Sequence, residues 1–107
     1  MQWRAPEEYK YEPETEKIDV FSLGYVLYFL LTDNLPFVDM KTEEANDYVA
    51  QGGRLKVTGE EILGSTHLFD MTVLKAMDMC FVYDPKKRPS AREVANFLNR
   101  AVQRIEA

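Results

Sequence analysis

The sequence has few of the residues from which disulfides and metal sites are built. It contains one cysteine, Cys80, and one histidine, His67, among 107 residues. A single cysteine cannot form an internal disulfide, so we expect a reducing, intracellular compartment, either the cytoplasm or the nucleus. We interpret His67 as a surface or loop residue, because no cysteine or second histidine accompanies it. Cys80 has no activating base nearby in the sequence and is interpreted as a small buried apolar side chain.

Basic charge is also scarce, and no apolar run is long enough for a membrane span. Lysine and arginine together number 13 against 18 acidic residues, which gives a formal net charge of -5. This balance argues against a general nucleic-acid binder. The main apolar run, from Val20 to Leu31, is well short of the roughly 20 residues that cross a bilayer. The start shows no charged stretch followed by an apolar one, so we expect no signal peptide and no membrane partner.

The apolar run predicts a helix in the middle of a core. Within residues 17–32 no polar stripe recurs every three or four positions, and a helix that is apolar on every side belongs inside a protein. Asp19 stands where an N-cap is expected. Asp33 and Pro36 follow the run and indicate the end of the helix. The sequence therefore predicts a mainly α fold organised around this buried helix.

Other helices are indicated by their starts and periodicity. They comprise a short turn at 7–9 after Pro6, a helix from an N-cap at Thr42 to the glycines at 52–53, a helix over 68–82, and a last helix opened by a capping box of Ser90 and Glu93. Residues 54–57 alternate like a strand but have no partner strand, so we expect an extended loop. The chain has room for one domain. It contains no glycine-rich phosphate loop and no recognisable nucleophile–base pair, so its chemistry alone predicts a small helical domain.

Three separated motifs resemble those of protein kinases. Residues 3–7, Trp-Arg-Ala-Pro-Glu, resemble the motif that closes the activation segment. Residues 19–24, Asp-Val-Phe-Ser-Leu-Gly, resemble the opening of the large buried helix of the kinase C-terminal lobe. Residues 80–90, which include Asp-Pro-Lys-Lys-Arg-Pro-Ser, resemble the motif near the end of that lobe. Because the three occur in the family's order, residues 1–107 resemble a partial kinase domain, a C-terminal-lobe fragment of the two-lobed α/β fold.

The resemblance implies roles for particular residues. Glu7 and Arg88 stand at the positions of the family's buried structural ion pair. Asp19 stands where the family has the aspartate that binds backbone amides of the catalytic loop and anchors it. Trp3 and Arg4 resemble the wall of the pocket that receives the substrate residue after the phosphorylated hydroxyl.

The resemblance also implies partners and shows two departures. A protein is the implied substrate, and the surface at 36–51 resembles the one that often docks substrates or regulators. Phe21 stands where tryptophan is common. Asp33 stands where glycine usually follows the helix, and aspartate can adopt the left-handed conformation required there. Tyrosine kinases usually carry a basic residue where Gln2 stands, so the sequence favours Ser/Thr specificity.

The main departure is what the chain does not contain. ATP and Mg²⁺ are the implied cofactors of the parent domain, but the glycine-rich loop, the strand lysine, the catalytic-loop Asp and Asn and the metal-binding Asp of Asp-Phe-Gly are missing, as is the N-terminal lobe. We therefore expect the 107 residues alone to bind no ATP or metal and to be inactive, with no catalytic residue of their own. The leading hypothesis is part of an ATP-dependent protein kinase. The alternatives are a pseudokinase or truncated lobe acting as a non-catalytic binding module, and an unrelated helical bundle.

Overall fold

The computed structural model of the chain describes residues 3–106 and has six helices and no strand within that range. The helices are α1 (Pro6–Tyr9), α2 (Lys17–Thr32), α3 (Thr42–Ala50), α4 (Glu60–Leu63), α5 (Leu68–Cys80) and α6 (Ala91–Glu106). Helix α2 packs against α5, α5 packs against α6, and α1 lies against α3. The prediction of a mainly helical fold is confirmed.

An aromatic cluster holds α2 against the end of α5. The ring centroids of Phe21 and Phe81 lie 5.1 Å apart, and those of Tyr25 and Phe81 lie 5.3 Å apart. Gly24 makes this approach possible, since a Cβ atom at that position would lie 2.5 Å from the Phe81 ring. Offset and edge-on contacts of this kind stabilise a core beyond the area that they bury. The small residue in the second motif thus fixes how closely α2 and the residue that follows α5 can pack.

Helix α2 begins three residues earlier than a cap at Asp19 would place its start. Its N-cap is Glu16, so the prediction that Asp19 caps the helix is wrong. The first turn forms before Asp19 because the Lys17 N–H donates to the Thr15 hydroxyl at 3.2 Å and the Ile18 N–H donates to the Thr15 carbonyl at 3.1 Å. Asp19 is therefore the third helical residue, where its charge still faces the positive end of the helix.

The end of α2 depends on a left-handed residue. Asp33 has φ 58° and ψ 20°, and its N–H donates to the Phe29 carbonyl at 2.8 Å. This αL residue closes the last turn and reverses the chain toward the 35–38 loop. Aspartate adopts here the conformation for which glycine would be the least costly choice.

The apolar surface of α2 is covered on one side only. Val20, Phe21 and Tyr25 are buried, whereas the side chains of Val26 and Leu30 are 53% and 58% exposed. Helix α2 is therefore central to the fold but open on this side, because the segments that pack on it leave Val26 and Leu30 uncovered. None of the described helices has the length and apolarity needed to span a bilayer.

The other helix boundaries agree in part with the sequence. The Ser90–Glu93 capping box is present: the Ser90 N–H donates to Glu93 Oε1 at 3.2 Å, and the Glu93 N–H donates to the Ser90 hydroxyl at 3.1 Å. Thr42 is the first helical residue of α3 and not its N-cap, which is Lys41. Helix α5 ends at Cys80, two residues before the predicted end.

The loops also agree in part. Residues 54–57 are extended without a partner strand, as expected, and the short helix α4 follows them without having been predicted. In the loop after α2, Pro36 and Phe37 are buried, but Leu35 and Val38 are exposed. This loop therefore packs into the core through its two middle residues.

Candidate functional site

The structure brings Glu7 and Arg88 together across 81 positions of sequence. Arg88 Nη1 donates to Glu7 Oε2 at 2.8 Å, and Arg88 Nη2 donates to Glu7 Oε1 at 3.0 Å. The residues are 2% and 1% exposed. The planar guanidinium matches the carboxylate with two parallel hydrogen bonds, a geometry that lysine cannot provide.

The remaining N–H groups of the Arg88 guanidinium donate to backbone carbonyls. Its Nε donates to the Val82 carbonyl at 2.8 Å, Nη1 donates to the Lys17 carbonyl at 2.7 Å, and Nη2 donates to the Tyr83 carbonyl at 2.9 Å. With the two bonds to Glu7, all five N–H groups of the guanidinium have acceptors. A buried charge is tolerable only when it is paired and hydrogen-bonded in this way. Arg88 thereby joins α1, the start of α2 and the turn after α5.

Local backbone structure positions the side chains of Glu7 and Arg88 to meet. Glu7 lies in α1, which begins at Pro6. The N-terminus of this helix is capped by a hydrogen bond of 2.8 Å from the Ala5 N–H to Glu8 Oε1. Arg88 ends a turn in which its own N–H donates to the Asp84 carbonyl at 2.9 Å. Proline at the first helical position and aspartate at the start of a turn are the residues that such local structures favour.

Lys17 and Tyr83 also belong to this site, although no sequence motif indicates them. Lys17 Nζ donates to the carbonyls of Pro85 at 3.2 Å and Arg88 at 2.5 Å. The Tyr83 hydroxyl donates to the Ala50 carbonyl at 3.0 Å and accepts from Lys10 Nζ. No spacing rule would have found these contacts, because each joins segments that are distant in the sequence.

The predicted pocket-wall residues, Trp3 and Arg4, are tied to α2 by their backbone. The Ser22 hydroxyl donates to the Trp3 carbonyl at 3.0 Å, and the Tyr25 hydroxyl donates to the Arg4 carbonyl at 3.1 Å. The Trp3 side chain is half-buried and its indole N–H has no acceptor among the described residues, whereas Arg4 is exposed. The residue that favoured Ser/Thr specificity, Gln2, lies outside the described residues.

Asp19 lies apart from these contacts. Its side chain is exposed and makes no hydrogen bond or ion pair in residues 3–106, so the bond that an N-cap aspartate would accept from amides of the following turn, near Ser22, is absent. Its position in the first turn of α2 leaves the carboxylate available to another segment.

Burial keeps the two remaining titratable core side chains neutral. It raises the pKa of the Cys80 thiol to about 11, although the nearby Arg88 acts in the opposite direction. Burial is also the main cause that raises the pKa of the Tyr25 phenol, so this group remains a hydrogen-bond donor to the Arg4 carbonyl. A neutral, buried thiol is a poor nucleophile, which agrees with a packing role for Cys80.

The described side chains do not fit a nucleotide-metal site. No group of three or more His, Cys, Asp or Glu residues within 3–106 is arranged to hold a metal ion. The residues that bring Mg²⁺ and the phosphates of ATP together in kinases have no counterpart in the sequence. No step of phosphoryl transfer can therefore be assigned to these side chains.

Comparison with known proteins identifies the family. The sequence-family model described as "Protein kinase domain" matches residues 1–97 of the chain. The chain is 32% identical over 104 residues to the serine/threonine-protein kinase STY17 of Arabidopsis thaliana, with 96% of this chain and 17% of that protein covered. It is 33% identical over 98 residues to the probable serine/threonine-protein kinase DDB_G0272254 of Dictyostelium discoideum, with 92% and 7% covered. It is 26% identical over 104 residues to the mouse tyrosine-protein kinase TXK, with 96% and 18% covered.

The chain thus spans less than a fifth of the length of these three relatives. The matched region includes all three motifs and both residues of the buried ion pair. Because the family model matches nearly the whole length of the chain, the chain belongs to the protein kinase family.

Proposed function

We propose that this chain is the C-terminal part of the catalytic domain of an ATP-dependent protein kinase. Its role is to supply the lobe scaffold and the substrate-docking surface. The observation that carries the proposal is the Glu7–Arg88 pair, which joins the end of the activation-segment motif to the motif near the end of the lobe. The parent domain would transfer the γ-phosphate of ATP, with Mg²⁺, to a protein hydroxyl.

The proposed specificity is for serine and threonine. Two relatives named as serine/threonine kinases are 32% and 33% identical, whereas the named tyrosine kinase is 26% identical. Gln2, in place of the basic residue common in tyrosine kinases, supports the same choice.

Within the parent domain, we assign Asp19 as the anchor of the catalytic loop. It is exposed at the start of α2 and has no other partner among the described residues. The carbonyls of Trp3 and Arg4 are held by α2, which suits a rigid wall for a substrate pocket.

A non-catalytic binding module is the second candidate. It is favoured by the apolar strip of α2, formed by Val26, Phe29 and Leu30, whose side chains are 42% to 58% exposed. Exposed apolar side chains in a row favour association with another surface. The surface at 36–51, which includes the exposed Val38 and adjoins the exposed Leu35, would dock a protein regulator in either case.

The test compares the 107-residue chain with the same chain extended by the coding sequence that precedes residue 1 in its gene. Both are incubated with ATP, Mg²⁺ and a generic protein substrate, and phosphoamino acids are identified after hydrolysis. A dye that fluoresces on exposed apolar surface is added to each. We expect phosphoserine and phosphothreonine from the extended form only, and stronger dye binding by the short form.

Four results would change the proposal. Transfer by the short chain would show that it is a complete enzyme. Phosphotyrosine as the main product would overturn the specificity. An extended form without transfer, or a gene that encodes nothing upstream, would favour the binding module.

A further inference from the structure

A concave surface lies between α5 and α6, on helices that contribute none of the Glu7–Arg88 contacts. It encloses about 140 Å³ and is called here the α5–α6 groove. Its apolar lining includes Leu68, Met71 and Phe97. Its cationic lining consists of Lys75, Arg100 and Arg104.

The three cations of the groove have no counter-charges in the described part of the chain. Three basic side chains elsewhere in the described residues form ion pairs: Lys10 with Glu12, Arg54 with Asp78, and Arg88 with Glu7. Lys75, Arg100 and Arg104 are exposed and form no hydrogen bond or ion pair among residues 3–106. This concentration of positive charge occurs in a protein whose formal net charge is -5.

The helical spacing brings these charges together. Arg100 and Arg104 are four residues apart in α6 and thus neighbours on one helix face, where like charges repel. Lys75 faces them from α5 across the groove. An anionic group bound between the helices would remove this repulsion and satisfy several N–H donors at once.

The apolar lining adds a second requirement for the ligand. Leu68 and Met71 are one helical turn apart, and both are exposed, at 37% and 45%. A purely ionic ligand would leave these side chains in water. A ligand with both an apolar side chain and neighbouring carboxylates would cover the lining and pair with the cations.

We propose that the α5–α6 groove docks a short acidic peptide segment of a partner protein, with a leucine or phenylalanine side chain inserted between carboxylates. Charge complementarity with Lys75, Arg100 and Arg104 carries the proposal. An anionic membrane or a nucleic acid fits less well, because an extended polyanion would also meet the acidic remainder of the protein. The groove needs only a few residues of ligand.

The probe is a fluorescein-labelled ten-residue peptide that combines glutamates with central leucine and phenylalanine residues. Its affinity for the 107-residue chain is measured by fluorescence anisotropy at low and high salt. Two control peptides replace the glutamates by lysine, or the leucine and phenylalanine by serine. We expect binding of the first peptide only, weakened by salt.

Matched variants locate the site. The triple variant Lys75→Gln, Arg100→Gln and Arg104→Gln should bind the acidic peptide roughly tenfold more weakly or worse, through the loss of three ionic contacts. The control triple, Lys56→Gln, Lys87→Gln and Arg92→Gln, removes the same charge from exposed residues outside the groove and should bind like the parent chain. Circular dichroism checks that both variants keep their helices.

A further variant tests the apolar lining, and vesicles test the competing ligand. Met71→Ser should weaken peptide binding without changing its salt dependence. Equal weakening by the two triple variants would show a non-specific charge effect and overturn the proposal. The absence of peptide binding by the folded parent chain would also overturn it. So would a parent chain that binds phosphatidylserine vesicles but not the peptide, if the groove triple variant no longer binds the vesicles.

Discussion

Replacing Arg88 with alanine would leave the Glu7 carboxylate buried without a counter-charge. The two side chains are 1% and 2% exposed, so water cannot replace the lost guanidinium without local opening. Three carbonyl groups, of Lys17, Val82 and Tyr83, would lose their Arg88 donors at the same time. Arg88→Ala therefore removes a charge pair and a set of buried hydrogen bonds in one step.

The expected loss is large compared with the stability of a small domain. Breaking one side of a buried ion pair costs about 3–5 kcal/mol. The free energy of unfolding of a domain is typically about 5–15 kcal/mol. For a chain of this size each kcal/mol corresponds to roughly 4–8 °C in melting temperature, so we expect a decrease of about 12 °C or more.

Arg92→Ala is the matched control. Arg92 is exposed in the first turn of α6 and makes no hydrogen bond or ion pair in the described part of the chain. Its removal should change the free energy of unfolding by no more than about 0.5 kcal/mol. Melting followed by circular dichroism compares the two variants under the same conditions.

A double variant separates the charge from the packing. Glu7→Leu combined with Arg88→Met removes both charges and keeps apolar volume, so it should be more stable than Arg88→Ala alone. Melting temperatures of Arg88→Ala and Arg92→Ala within about 2 °C of each other would refute the reasoning, since the first loss is expected to be several-fold larger than this.

Three further predictions concern other positions of the helical core. Gly24→Ala should destabilise the chain by about 1–3 kcal/mol in urea unfolding, because the new Cβ would lie 2.5 Å from the Phe81 ring. In the control Gly59→Ala the new Cβ would meet no atom within 4 Å, so the free energy of unfolding should stay within about 1 kcal/mol of the parent. Asp33→Gly should raise the melting temperature, because φ is 58° there, and a decrease would show that the aspartate side chain stabilises the turn. Burial raises the pKa of the Cys80 thiol to about 11 in the folded chain, so between pH 9 and 11 the thiol is protonated in the folded state but ionised in the unfolded state. The free energy of unfolding should therefore fall as the pH rises from 9 to 11. A Cys80→Ala variant should lose less stability over this range, and equal losses in the two proteins would contradict the prediction.

The sequence indicated five of the six described helices and, through the resemblance of its motifs, the main ion pair. The all-apolar run predicted α2, and the Ser90–Glu93 box predicted the start of α6, because both signals depend on contacts within a few residues. The Glu7–Arg88 contact came from the resemblance of two motifs, not from local physics. The start of α2 was misread because Thr15 supplies the first acceptors, whereas Asp19 has the residue type that more often caps a helix.

Tertiary structure alone decided which surfaces are covered and which atoms find partners. Every side of α2 is apolar, so the sequence cannot distinguish the buried Tyr25 from the exposed Leu30; the positions of α5 and the 35–38 loop make that distinction. The bonds from Arg88 to three carbonyls and the exposure of Asp19 likewise depend on how distant segments meet. Hydrogen bonds across a fold depend on distances of a few tenths of an ångström, which residue types and spacings do not specify.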